Sequence, residues 1–179
     1  MKNTFGCFPV LMFILFISNF AYADPPRVGD IAPSFIVRAG DNKAMTLDQL
    51  KGKVIVMFYN SKDTTGQDSV LRQELNKFYN DQPEDRKQKV YKLAIVDCSS
   101  AFFPVDYIWK KKLIDTSKEK KMDIYGDWDG NVAKSYSFSP DCSNIVIIDK
   151  DGIIRFVARK EIRDQKEINA IVALLNKIT

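Results

Sequence analysis

The stretch Val54-Ile-Val-Met-Phe-Tyr59 is a continuous apolar run, and the mostly polar residues 60–69 follow it directly. A run without polar alternation is typical of a strand that is buried on both faces. Apolar residues then recur at helical spacing, at positions 70, 71, 75, 78 and 79. The stretch therefore predicts a buried strand that leads through a polar turn into a helix. Thr65-Gly-Gln-Asp68 has the pattern of a capping box at the start of that helix.

Three further apolar runs continue this pattern along the chain. Leu93-Ala-Ile-Val96 and Ile145-Val-Ile-Ile148 predict two more buried strands, and Ile153-Ile-Arg-Phe-Val157 predicts a fourth strand. The turn residues Asp149-Lys-Asp-Gly152 between the last two strands predict a hairpin. Helices are predicted over 107–121 and 164–178, the second opened by Asp164, and the charged segment 81–89 is predicted to be a loop.

The order of these elements is strand, helix, strand, helix, hairpin and helix. Parallel crossovers followed by an antiparallel hairpin predict an α/β protein with a central mixed sheet flanked by helices. The lysines at 110–112, 118, 120 and 121 are expected to form a solvated helix face, because no pattern typical of nucleic-acid binding accompanies them. With 45% hydrophobic and 28% charged residues and a net charge of +4, the composition is that of an ordinary globular protein and indicates no particular partner.

Residues 1–23 have the pattern of a secretory signal peptide. Lys2 is followed by an apolar run over 8–20 and then by Ala21-Tyr-Ala23, the small-x-small pattern that signal peptidase cleaves. We predict cleavage between Ala23 and Asp24, which leaves one domain over 24–179 in the periplasm or another exported compartment, with no membrane attachment. An uncleaved anchor is the alternative, and the shortness of the apolar run disfavours it.

The sequence contains no histidine, which excludes Ser-His-Asp and Cys-His nucleophiles and histidine-ligated metal sites. Cys98 and Cys142 remain after cleavage, and they form no CxxC pair, so a zinc site is not expected. In an exported protein a disulfide can persist. Three alternatives therefore stay open: two unpaired thiols, a static disulfide and a cycling redox pair. We expect neither a metal nor a cofactor.

Four local motifs resemble those of redoxins and peroxiredoxins, in the same order and at similar spacing. They are Val28-Gly-Asp-Ile-Ala-Pro-Ser-Phe35, Thr46-Leu-Asp-Gln-Leu-Lys-Gly-Lys-Val54, Asn131-Val-Ala-Lys-Ser-Tyr136 and Ile147-Ile-Asp-Lys-Asp-Gly152. The resemblance implies a thioredoxin-like fold over 24–179. The predicted signal peptide, the missing cysteine pair and the stretch from Cys142 to Gly152 are similar to the narrower YtfJ-type family of periplasmic proteins.

This resemblance implies that the active site of the superfamily corresponds to the junction of the first buried strand with the next helix. The junction residues are Asp63, Thr64, Thr65, Gly66 and Gln67. Thr64 aligns with the threonine that binds peroxide in peroxiredoxins, and Gln67 aligns with the peroxidatic cysteine. Ser143 or Asn144 stands in place of the supporting arginine, and Pro140 is about three residues from the position of the usual cis-proline. The resemblance thus predicts a degenerate site without peroxidase or thioredoxin chemistry.

The two remaining cysteines are expected on either side of the first buried strand, with Cys98 after the second strand and Cys142 before the third. Strand spacing then separates them by roughly 10 Å, whereas a disulfide needs Cα atoms within about 7 Å. Trp109 and Trp128 either pack in the core or line a ligand cleft.

Two functional hypotheses follow. The first is a non-catalytic binding or accessory protein that uses the former active-site edge for a protein or small-molecule partner. The second is a thiol–disulfide oxidoreductase that uses Cys98 and Cys142. The missing cysteine at the helix start favours the first, because neither remaining thiol has an evident activating group. Nucleic acid is not expected as a partner of an exported chain.

Overall fold

The computed structural model describes residues 24–179, so the predicted signal peptide lies outside the described residues. The strands are β1 (Ile36–Ala39), β2 (Ala44–Thr46), β3 (Val54–Asn60), β4 (Val90–Asp97), β5 (Ile124–Asp127), β6 (Asn144–Ile148) and β7 (Ile154–Ala158). The helices are α1 (Ser69–Asn80), α2 (Glu84–Lys87), α3 (Val105–Lys120), α4 (Asn131–Tyr136) and α5 (Gln165–Ile178), with a 3-10 helix at Asp48–Leu50. None of the helices within 24–179 is both long and apolar enough to cross a membrane.

The strands form one mixed sheet in the order β2-β1-β5-β4-β3-β6-β7. β3 pairs in parallel with β4 and β4 in parallel with β5, whereas β6 is antiparallel to both β3 and β7. The predicted mixed sheet and the predicted β6–β7 hairpin are therefore confirmed. β3 lies between β4 and β6, as the family resemblance implied, and every residue of β3 is buried.

Helices cover both faces of the sheet. Val56 and Phe58 of β3 face α1 and α5, where they pack in one apolar cluster with Leu71 and Ile168. Alternate residues of a strand face opposite sides, so Tyr59 faces the other side, in a cluster that α4 helps to form. Phe58 pairs with Ala94 of β4, and Ala94 packs against Leu113 of α3. α1, α3 and α5 therefore share one face, and α3 lies over the β4 side of it.

Two local expectations were wrong. The capping box at 65–68 does not form: α1 begins at Ser69, and the Asp68 side chain makes no cap hydrogen bond, because its carboxylate accepts from Asn60 and Arg72 instead. The segment 81–89 is not only a loop, since its charged residues form the short helix α2 after Pro83. The predicted cap of α5 is confirmed, because Asp164 accepts from the backbone N–H of Lys166.

Candidate functional site

The junction between β3 and α1 is a polar turn whose residues form hydrogen bonds with one another. The backbone N–H of Ser61 donates to Thr64 Oγ1 at 2.9 Å, and the Ser61 carbonyl accepts from the Thr65 hydroxyl at 3.1 Å. Thr64 is only 2% exposed, whereas Asp63 and Gly66 face solvent. The resemblance aligns the Thr64 hydroxyl with a peroxide-binding group, but here this hydroxyl accepts a hydrogen bond within the turn.

Gln67 links the turn to the loop that precedes β6. Its Oε1 accepts a hydrogen bond from the backbone N–H of Ser143 at 3.0 Å, and Ser143 is buried. A carboxamide has no nucleophilic electron pair comparable to a thiolate. At the position aligned with the peroxidatic cysteine, the chain thus has a side chain that joins two loops.

Asn144, at the start of β6, is fully buried and fully hydrogen-bonded. Its Nδ2 donates to the carbonyls of Ser139 and Cys142, each at 2.9 Å, and its Oδ1 accepts from the Ser139 N–H. Neither Asn144 nor Ser143 presents a cation to the junction. Within residues 24–179 the only cis peptide bond is Phe103–Pro104, so Pro140 does not take the role of the usual cis-proline.

A polar group beside the junction was missed by the sequence analysis. Asp68 Oδ2 accepts from Asn60 Nδ2 at 2.9 Å and from Arg72 Nε at 2.6 Å. The Arg72 guanidinium also lies over the Phe58 ring, 3.9 Å from its centroid. The i, i+4 spacing of Asp68 and Arg72 is a usable signal for such a pair, but the ring beneath it depends on the tertiary fold.

Cys98 is fully buried at the end of β4, where it packs with Ala94, Leu113 and Ile124. Burial raises the pKa of its thiol to about 12, and the carboxylates of Asp97 and Asp127 contribute to the increase. Only about one molecule in 100,000 then carries a Cys98 thiolate at neutral pH. Because the thiolate is the reactive form, we expect Cys98 to be an unreactive residue of the core.

Cys142 is half-buried and donates its S–H to the Arg159 carbonyl, with Sγ and the oxygen 2.9 Å apart. Both described cysteines are free thiols, so no disulfide joins them. Cys98 follows β4 and Cys142 precedes β6, with β3 between these strands. The fold therefore leaves the two thiols in different environments.

A second buried polar group lies on the opposite face of the sheet. Asp127 is fully buried at the end of β5, and its Oδ2 accepts from the Tyr59 hydroxyl at 3.1 Å and from the Ala133 N–H at 3.0 Å. Its Oδ1 has no hydrogen-bond donor within the described chain. Burial raises the pKa of Asp127, and the Ala133 and Tyr59 hydrogen bonds offset only part of that increase.

A groove of about 780 Å³ lies between α1 and α3. β4 forms much of its floor through Ala94 and Val96, and Phe58 of β3 lies beside them. Trp109 of α3 packs against the buried cluster that contains Ala94 and Leu113, and it also lines the groove. Trp128 instead donates its indole N–H to the Arg38 carbonyl. The groove reaches the junction at Gly66 and Asp68.

The polar lining of this groove is strongly cationic. It has seven cationic side chains: Lys62, Arg72, Arg86, Lys87, Lys92, Lys112 and Lys120. Asp68 is the one acidic side chain among its lining residues. Among the ion pairs formed within 24–179, only the Arg72–Asp68 pair involves a cation of the groove. Six lining cations thus have no acidic partner in the described chain.

Lys92 is the cation on the groove floor. Its position opposite Val56 in the β3–β4 register points it to the same face as Ala94. Its Nζ donates to Asn76 Oδ1 at 3.2 Å and lies 4.2 Å from the centroid of the Tyr79 ring. Burial lowers the pKa of Lys92, because desolvation disfavours an ammonium that no carboxylate neutralises.

Metal-ligating side chains are not grouped in residues 24–179: no three His, Cys, Asp or Glu side chains come together there as a metal site requires. The groove offers apolar side chains, amides and cations. This arrangement suits binding of an organic ligand in a partly apolar environment.

Solved structures of thioredoxin-like proteins resemble this fold. The thioredoxin domain of a thiol-disulfide oxidoreductase from Bacteroides vulgatus matches with a TM-score of 0.58 at 17% identity, over 84% of this chain and 99% of that one. A peroxiredoxin-like protein from Aquifex aeolicus matches with a TM-score of 0.57 at 18% identity, over 88% and 91%. A thiol peroxidase from Chromobacterium violaceum matches with a TM-score of 0.56 at 18% identity, over 86% and 88%.

These identities are low, so the structural matches establish the thioredoxin-like fold alone. No curated protein matches the chain by sequence. The AhpC/TSA family, however, matches residues 28–157, a range that runs from the first of the four redoxin-like motifs through β7. On that match, the chain belongs to the AhpC/TSA family.

Proposed function

We propose that this chain is a non-catalytic binding protein of an exported compartment, and that the groove between α1 and α3 is its binding site. The observation that carries the proposal is the groove itself. It has a volume within the range of small-molecule sites, about 300–1,000 Å³, and it ends beside the junction where relatives of this fold carry out their chemistry. The signal-like residues 1–23 support export, and the resemblance to YtfJ-type proteins supports the periplasm as the compartment.

The state of the thiols supports a role without catalysis. Gln67 stands where a peroxidatic cysteine is expected, Cys98 is buried with a raised pKa, and Cys142 donates to a backbone carbonyl. Attack on a peroxide or a disulfide requires an accessible thiolate. The alternative, thiol–disulfide exchange through Cys98 and Cys142, is favoured only by the activities named for the structural neighbours.

Turnover assays separate the two functions. We expect the mature protein to reduce hydrogen peroxide and insulin disulfides no faster than its Cys98→Ser/Cys142→Ser variant. Robust turnover that either substitution abolishes would establish the oxidoreductase and reject the non-catalytic proposal.

A neutral dye tests the binding site. N-phenyl-1-naphthylamine fluoresces more strongly in an apolar environment, and we expect it to bind the native protein and the double-serine variant equally. Ala94→Leu, which adds volume to the groove floor, should weaken dye binding. Ile108→Glu provides a second test at an exposed lining residue, which does not depend on core packing. Failure of the dye to bind the folded protein, or equal binding by both groove variants, would reject the groove as the site.

A further inference from the structure

We propose that the groove binds an amphipathic anion, namely a carboxylate at the end of an acyl chain of fatty-acid length, with the headgroup beside Lys92. The inference rests on the proposed function, since it names the class of ligand for the same groove.

The two ends of the groove differ in chemistry. β4 runs from Val90 to Asp97, and the crossover helix α3 returns in the opposite direction. Ala94 and Val96 of the floor therefore lie near Ile108 and Trp109 of the wall. These four side chains are apolar, and the charged groups at this end are the Asp68–Arg72 ion pair and Lys62. The apolar character continues outward, because Ile108 is 64% exposed, and Phe102 and Phe103 in the preceding turn are 75% and 85% exposed.

The opposite end carries charge. Lys92 lies two residues from the start of β4, and the end of α3 contributes Lys120 there. Lys87 and Arg86 of α2 line the same end, and Arg86 is held by hydrogen bonds to Asn176. This end of the groove has cations and no acidic side chain, whereas apolar side chains and the Asp68–Arg72 ion pair lie toward the other end. That distribution matches a ligand with one anionic group and one hydrocarbon chain.

The spacing of charges on α3 directs cations to the groove. Ile108, Lys112, Thr116 and Lys120 line it at successive intervals of four residues, which places them on one helix face. The acidic residues of α3, such as Asp115 and Glu119, are not part of the lining. This face of α3 therefore presents two cations and no acidic side chain to the groove.

Lys92 is the strongest candidate for contact with the headgroup. Asn76 and Tyr79 hold its ammonium with neutral groups, and none of the ion pairs in the described chain includes it. Lys92 is exposed, so a ligand carboxylate can reach its ammonium and form a charge-assisted hydrogen bond with it. The hydrocarbon chain of the ligand would then cover the apolar floor at Ala94.

Displacement of N-phenyl-1-naphthylamine tests the ligand class with three compounds that share a twelve-carbon chain: dodecanoate, dodecanol and dodecyltrimethylammonium, each below its micelle concentration. We expect dodecanoate to displace the dye at a concentration at least about tenfold lower than the other two, and acetate to displace none. Equal displacement by all three, or displacement by acetate, would overturn the anion inference while dye binding still supported the groove. Absence of dye binding would reject the proposed function itself.

Single charge removals test where the headgroup lies. Lys92→Gln should weaken dodecanoate binding about tenfold, a larger loss than it causes for the uncharged dye. The matched control is Lys111→Gln, because Lys111 is exposed on the same helix as Lys112 but does not line the groove, and it should change neither affinity. If Lys92→Gln fails to fold, Lys120→Gln takes its place in the test, because Lys120 is another exposed cation of the groove. Equal weakening by the groove variants and by Lys111→Gln would show an effect of net charge and overturn the proposed placement.

Discussion

Gln67 links the residues just before α1 to the loop before β6, because its Oε1 accepts a hydrogen bond from the backbone N–H of Ser143 at 3.0 Å. The two residues are 76 positions apart in the chain, so this hydrogen bond is a tertiary contact. At the position aligned with a reactive cysteine, the side chain contributes to the stability of the fold.

We predict that Gln67→Ala lowers the free energy of unfolding by about 1 to 2 kcal/mol, because the buried Ser143 N–H loses its acceptor. Chemical denaturation measures the change. Gln73→Ala is the control, since Gln73 is exposed on the same helix, and it should change stability by less than about 0.5 kcal/mol. A neutral Gln67→Ala would contradict the structural role of this amide.

The two threonines of the junction should respond differently to truncation. Thr64→Ala leaves the Ser61 N–H without its acceptor in a buried site, and we expect a loss of about 1 to 2 kcal/mol. Thr65 is exposed and is not the cap of α1, so Thr65→Ala should cost less than about 0.5 kcal/mol. Thermal or urea unfolding measures both losses. A larger loss for Thr65→Ala than for Thr64→Ala would support the capping box at 65–68 instead.

Asp127 should make stability depend on pH. Its pKa is raised in the folded protein, so the folded state holds the proton more tightly than the unfolded chain does. An aspartate in an unfolded chain has a pKa of about 3.9. The free energy of unfolding should therefore fall as pH rises from that value through the folded-state pKa of Asp127.

Asp127→Asn removes this titration but keeps an oxygen that can accept from Tyr59 and Ala133. Comparison of urea unfolding for the native chain and Asp127→Asn across this pH range measures the contribution of Asp127 together with its interaction with the Asp129 carboxyl. The native chain should lose stability relative to the variant as pH rises. A difference that stays constant with pH would contradict the raised pKa.

Thiol labelling should distinguish the two cysteines. Cys98 is fully buried, and burial raises its pKa to about 12, so a maleimide should label it only after unfolding. Cys142 is half-buried and should react first in the native protein. Peptide mapping after partial labelling identifies the modified residue, and native labelling of Cys98 ahead of Cys142 would show that Cys98 is accessible.

The sequence predicted the four neighbouring strands β4, β3, β6 and β7 but not β5, β1 and β2 on the other side of the sheet. Continuous apolar runs made β3, β4 and β6 recognisable, because strands covered on both faces need no polar alternation, and the turn residues at 149–152 indicated β7. β1 contains Arg38 and β5 contains Gly126 and Asp127, and such short mixed segments have no distinctive period. Their pairing depends on contacts between residues far apart in the sequence.

The junction was located from the order of elements, whereas the groove was not. The width of the groove depends on the distance between α1 and α3 over β4, and no local sequence pattern predicts that distance. Lys92 directly precedes the predicted strand 93–96, and no sequence signal shows that it faces a groove. The hydrogen bond of Gln67 to Ser143 escaped prediction for the same reason, since both partners look like ordinary polar loop residues.

Mapping of amide chemical shifts tests most directly whether the chain binds through its groove. The ¹⁵N-labelled mature protein would be titrated with N-phenyl-1-naphthylamine and followed by two-dimensional NMR. The account predicts the largest shifts at residues 92–96 of β4 and 108–116 of α3, with residues 139–144 around Cys142 unaffected. Shifts centred on 139–144 or on α4, or no saturable shifts at all, would contradict it.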